Sequence, residues 1–152
     1  MYAIQKYKKI LYDTTKPRIF VPEKVMKKVC LIELGSNEPS EATVRSVQDV
    51  LRTCFPSVRF GRLRQTEPVG IASPRPFFNI SGRFETHLTQ EEVTALFKRI
   101  EADHGRRPED KAQNIVRIDI DLLVYGDTVL KAKDLQREYV RAGLADLGIF
   151  LS

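Results

Sequence analysis

From Val29 onward the hydrophobic period of this sequence switches repeatedly between about 2 and about 3.6 residues, and that switching constrains the fold more than any other feature. Val29–Leu34 is nearly all apolar and reads as a buried strand, broken by Gly35-Ser36-Asn37. Ser40 is placed to cap a helix whose Val44, Val47, Val50, Leu51 and Cys54 recur at intervals of three and four, and Pro56 ends it. Ser57–Gln65 mixes β-branched and aromatic residues with polar ones, as an exposed strand does, and Glu67–Pro76 is a proline-rich loop. Phe78, Ile80, Gly82 and Phe84 then alternate with Asn79, Ser81, Arg83 and Glu85, the pattern of a half-buried strand. Thr89 and Glu92 form a capping box ahead of a stripe of Val93, Leu96, Phe97 and Ile100, and Gly105 stops that helix. A charged loop over Arg106–Asn114 leads to a strand over Val116–Val124. A last helix is expected over Asp134–Leu147, capped by Asp134, with Leu135, Tyr139, Gly143 and Leu147 at intervals of four. The order strand, helix, strand, strand, helix, strand predicts an α+β fold, the ferredoxin-like split βαβ sandwich: an antiparallel sheet with its helices on one face. The other face is left for loops, termini or a site.

The length of 152 residues suits one domain. Met1–Lys28 carries eight Lys and Arg residues against Asp13 and Glu23, which more than accounts for the net charge of +5 over the whole chain. The sequence is therefore read as an N-terminal extension, residues 1–25, of tail-like character, ahead of a single domain over 26–152 that is close to neutral. Met26 is itself a plausible start. A neutral body excludes the basic sheet face that a nucleic-acid-binding module needs. No apolar run approaches the ~20 residues of a membrane span, and the first residues lack the apolar core of a secretory signal. Cys30 and Cys54 sit in apolar settings and are expected to be reduced and buried, in a cytoplasmic protein. Neither has a zinc-ligand spacing to His87 or His104.

The stretch richest in chemistry is Arg117-Ile118-Asp119-Ile120-Asp121-Leu122. On a strand Asp119 and Asp121 share a face, with Cα atoms roughly 6.6 Å apart, while Ile118, Ile120 and Leu122 take the other. Two carboxylates so close raise each other's pKa unless a cation joins them, and Mg²⁺ suits the gap because it takes one or two carboxylates plus phosphate oxygens. The same alternation also arises on an ordinary solvated strand. No P-loop and no Gly-x-Gly-x-x-Gly turn is present, so a bound phosphate would have to be held by metal and by Arg and Lys side chains, of which Arg106, Arg107 and Lys111 are placed nearest. If Phe78 faces the core, Phe77 and Asn79 face the Asp side, where a ring and an amide suit a flat heterocycle.

With Leu34-Gly35-Ser36-Asn37, Thr66-Glu67-Pro68-Val69-Gly70, Phe77-Phe78-Asn79, Arg99-Ile100-Glu101 with Gly105-Arg106, and Asp119-Ile120-Asp121-Leu122-Leu123 ahead of Tyr125-Gly126, the chain resembles the 6-hydroxymethyl-7,8-dihydropterin pyrophosphokinases. The resemblance implies a ferredoxin-like fold and Mg²⁺-dependent transfer of diphosphate from ATP to the pterin alcohol, in folate biosynthesis. It implies that Asp119 and Asp121 bind two Mg²⁺ and, with Arg106, form the catalytic set. It places Thr66, Val69, Phe77 and Asn79 around the pterin, and Glu101, Arg106, Lys111 and Leu122 on the ATP side. The partners are then small molecules, ATP and hydroxymethyldihydropterin, with no nucleic acid and no membrane.

Some positions depart from the family pattern. Its Pro-Arg ahead of the Asp pair corresponds to Ile115-Val116, with Arg117 one residue late; its later Pro-His pair falls at Glu138 and Tyr139; its loop aromatic falls at Gln113; a later Arg and aromatic fall at Ala145 and Leu147. Metal and pterin parts are kept while several ATP-binding parts are replaced. The alternative is a non-catalytic pterin- or nucleotide-binding paralogue with a degenerate ATP site.

Overall fold

The structure is a computed structural model that describes residues 27–38, 40–68 and 75–152. The expected N-terminal tail over residues 1–25 and the pterin-side residue Val69 lie outside the described residues. The elements are β1 (Lys28–Ser36), α1 (Ser40–Cys54), β2 (Arg59–Phe60), β3 (Arg64–Thr66), β4 (Phe77–Thr86), α2 (Gln90–Asp103), β5 (Asp119–Tyr125), β6 (Thr128–Val129), α3 (Ala132–Leu135) and α4 (Glu138–Ala145), with a 3₁₀ helix over Pro108–Gln113. Among the described residues six strands form one sheet in the order β2-β4-β1-β5-β6, with β3 also on β4, and every pairing there is antiparallel.

Both long helices pack on one face. Val44, Val47 and Leu51 of α1 and Val93, Leu96, Phe97 and Ile100 of α2 meet Ile32, Leu34, Ile80, Phe84, Ile118, Ile120 and Leu122 in a single apolar cluster. Phe55 stacks on Phe84 with ring centroids 3.9 Å apart. The Thr89–Glu92 capping box is present in both directions, and Gly105 takes the positive φ of 88° that ends α2. Cys30 and Cys54 are free and buried, as expected.

Several boundaries differ from the sequence expectation for identifiable reasons. Gly35 and Ser36 continue β1 instead of breaking it, because both pair with β4. The single strand expected over Ser57–Gln65 is two short ones, since Gly61 lies against the carbonyl of Gly143 and the Arg62 N–H turns to Asp146. β5 begins at Asp119 and not at Val116, because the preceding residues bond the end of β1 instead. The charged loop after α2 contains a 3₁₀ helix with Pro108 at its start. The final helix expected over Asp134–Leu147 is broken into α3 and α4, and Asp134 does not cap it: its carboxylate pairs with Arg137 at the break.

α3 and α4 cross to the other sheet face, where Leu135, Val140 and Leu144 cover Leu31 and Leu123. A register shift between Leu31 and Ile32 leaves Leu123 without a partner on β1, so Leu123 and Val124 both turn to this second cluster. The cover is partial. Gly143 approaches Ser81 so closely that any side chain there would collide with it, and the rest of the face stays open.

Candidate active site

The open part of this face is a cleft of ≈ 310 Å³ whose floor is two rows of side chains. Across β4, β1 and β5 the first row is Asn79, Gly35 and Asp119, and the second is Ser81, Glu33 and Asp121. Gly35 is required at the centre: a Cβ there would stand 2.8 Å from Asn79 Oδ1, so its absence lets the Asn79 amide lie across β1. Asn79 donates to the Thr66 hydroxyl across 2.5 Å, and the Phe77 ring edge comes within 4.0 Å of where that Cβ would be. Thr66, Phe77 and Asn79 thus line the cleft together with Asp119 and Asp121.

The loop feeding the Asp strand is clamped by the Ser36-Asn37 pair. Ser36 Oγ donates to the Arg117 carbonyl (2.5 Å), the Asn37 N–H donates to the Val116 carbonyl (2.8 Å), and Asn37 Oδ1 accepts from the Val116 N–H (2.7 Å). These bonds fix where β5 starts, and with it the placement of both aspartates. Arg117 turns away to Asp110 at 3.0 Å. Burial works against the Asp110 carboxylate, but the Arg107 N–H and the Arg117 guanidinium hold it below its ordinary value.

Each aspartate carries a protein cation. Arg106 Nη1 lies 2.8 Å from Asp119 Oδ1 and 2.6 Å from Glu101 Oε2, which also accepts the Ile120 N–H. Lys131 Nζ lies 2.5 Å from Asp121 Oδ1. Burial, with Asp119 alongside, raises Asp121 to about 6 against the pull of Lys131. Burial likewise raises Glu101 to about 7 in spite of Arg106. Glu101, Arg106, Asp119, Asp121, Leu122 and Lys131 also line a second hollow of ≈ 330 Å³ on the α2 side, where the buried side chain of Leu122 forms part of the wall. Lys111 lies elsewhere, in a neighbouring basic hollow shared with Arg106, Arg107 and Lys98.

Among the described residues no group of three or more His, Cys, Asp and Glu converges as a ready-made metal cage. The donor set still fits Mg²⁺, which keeps several waters and needs only the Asp119–Asp121 pair when a polyphosphate supplies further oxygens. The sequence reading missed Glu33, Lys131 and Arg137, all of which line the cleft, and it named Tyr139 only as a departure. Glu33 had a legible signal: one acid inside the apolar run Val-Cys-Leu-Ile-Glu-Leu. Lys131 had none, because the tight turn after β5 is what brings it back to Asp121.

Fold and cleft together define a class: an α+β sandwich with helices on one sheet face and a charged, polar small-molecule cleft on the other. The family model for 7,8-dihydro-6-hydroxymethylpterin-pyrophosphokinase (HPPK) matches residues 31–148, and the chain belongs to that family. No curated protein matches the chain. Among the described residues no helix is long and apolar enough to cross a membrane.

Proposed function

We propose that the protein transfers diphosphate from ATP to 6-hydroxymethyl-7,8-dihydropterin, releasing AMP. The observation that carries this reading is that one cleft holds both the ring-and-amide wall of Phe77 and Asn79 and the carboxylate pair of Asp119 and Asp121. In this reading Phe77 stacks on the pterin, and Thr66 and Asn79 bond its ring edge. Asp119 and Asp121 hold Mg²⁺, which when bound screens the charge of the phosphates. Arg106, Lys131 and Arg137 supply further positive charge toward the triphosphate, in place of the family's missing Arg and His. Catalysis is by positioning: Asp119, oriented by Arg106, faces the pterin hydroxyl, whose oxygen bonds to the β-phosphorus as the bond to the α-phosphate oxygen breaks, the hydroxyl proton passing to solvent and AMP leaving.

A specific observation also favours a second reading, a non-catalytic binding paralogue. A bare carboxylate pair is costly without a metal, but Arg106 and Lys131 already neutralise this one, so its retention does not by itself require catalysis. The deciding experiment incubates purified protein with ATP, Mg²⁺ and hydroxymethyldihydropterin and follows AMP by chromatography. AMP formed only when all three are present is the expected result. Pterin binding by calorimetry without any AMP overturns the catalytic reading in favour of the second.

A further inference from the structure

Of the three acidic side chains that line the cleft and that the proposed reaction does not use, Glu33, Glu67 and Asp134, Glu33 alone is buried. Glu33 is 6% exposed, on the central strand, between Ser81 on one side and Asp121 on the other. Its Oε2 accepts the Ser81 hydroxyl at 2.5 Å, and no cation lies within ion-pair distance of it among the described residues. Its Oε1 takes no hydrogen bond among the described residues. Because no fully buried side-chain oxygen there lacks a partner, Oε1 must face the cleft that Glu33 lines. Burying a carboxyl this far without a full set of donors is costly, and an apolar residue in its place would extend the Leu31–Leu123 cluster at no such cost. A group held under those terms, and open on one side only, is matched to a donor arriving from the cleft.

Position narrows what that donor is. Glu33 is two residues from Gly35 on the same strand face, roughly 6.6 Å along β1. A flat ring lying over Gly35, with its face to Phe77, therefore meets the Glu33 carboxyl with its edge and not with its face. An edge that offers two neighbouring N–H groups satisfies both carboxyl oxygens at once, in the fork-to-fork manner of a guanidinium. We propose that Glu33 is a specificity-determining residue that selects heterocycles with a 2-amino-4-oxo pyrimidine edge, whose ring N–H and exocyclic amino group lie side by side. This rests on the pterin reading above and adds to it the residue that reads the amino end of the ring.

The test compares binding of 6-hydroxymethylpterin with that of 6-hydroxymethyllumazine, in which an oxo group replaces the 2-amino group. Affinities are measured by calorimetry for the wild-type protein and for Glu33→Gln and Glu33→Ala, with a non-hydrolysable ATP analogue as the check that each variant is folded. Wild-type protein is expected to prefer the amino compound by roughly 100-fold, the range for leaving a buried carboxyl without the donors that its site is shaped to receive. The preference should fall about tenfold in Glu33→Gln and vanish in Glu33→Ala, with affinity for the ATP analogue kept. An unchanged preference in both variants, or no preference in the wild type, overturns the assignment of Glu33. Failure of the wild type to bind either pteridine overturns the pterin reading itself, and the ligand class with it.

Discussion

Lys131 and Asp121 show how one residue can alter what a familiar motif does. Asp121 alone would be a half-buried acid beside another acid. With Lys131 Nζ at 2.5 Å it becomes one half of an ion pair that can also present its ammonium to a phosphate. The pair predicts two distinct losses. Asp121→Ala removes an oxygen that the proposed function assigns to Mg²⁺ and should lower kcat/KM by roughly 10³-fold, the scale of losing one preorganised electrostatic group. Lys131→Met keeps the carboxylates and should instead raise the KM for ATP about tenfold with the KM for the pterin unchanged, as loss of one charged hydrogen bond does. Steady-state kinetics with each substrate varied in turn separates them; an unaltered KM for ATP in Lys131→Met would exclude Lys131 from phosphate binding.

The elements that close the site are held by a latch beside it, on the strand that pairs with Asn79. Asp146, just past the end of α4, accepts the Arg62 N–H at 2.9 Å and both guanidinium nitrogens of Arg64 at 2.7 and 3.1 Å, tying α4 to the β2–β3 segment. The Arg64 guanidinium foremost, then the Arg62 N–H, lowers Asp146 to about 2. A carboxyl whose pKa is depressed on folding contributes stability above its unfolded value, near 3.8, that is lost as pH falls toward 2. Melting temperature measured from pH 5 to pH 2 should therefore drop more steeply for the wild type than for Asp146→Asn, which has no proton to gain. Parallel curves would show that the latch does not contribute. This end of the molecule was also the least legible in the sequence. Intervals of four from Leu135 to Leu147 argue for one helix, and nothing local announces that Asp134 turns to Arg137 and splits it. α1, α2 and β4 were legible because their apolar periodicity is what buries them against each other. Phe77, Asn79, Asp119 and Asp121 were legible because strand alternation fixes a shared face, whereas Thr66 came only from the family resemblance. Lys131 and Arg137 reach the cleft through a turn and a helix break, which are long-range consequences of packing.

In the whole molecule, the sheet divides the work between its faces. The side toward α1 and α2 is apolar and carries the main core, while the other side is apolar where α3 and α4 cover Leu31 and Leu123 and holds the polar cleft beside them. Adjacent residues on β1 therefore belong to different jobs. Ile32 is fully buried among the helices, and its chain neighbour Glu33 opens on the cleft. Ile32→Val removes one methylene from a close-packed core and should cost about 1 kcal/mol, or about 3 °C in Tm for a chain of this size, with pterin affinity retained. Glu33→Gln should change the choice of pteridine while leaving the helix-side packing intact. The two effects should add in the double variant, because the side chains point to opposite faces and share no partner. Thermal melts and pteridine calorimetry on the two single variants and the double variant check this directly. A loss of ligand preference in Ile32→Val comparable to that in Glu33→Gln would mean that the central strand moves as one piece and that the faces are coupled.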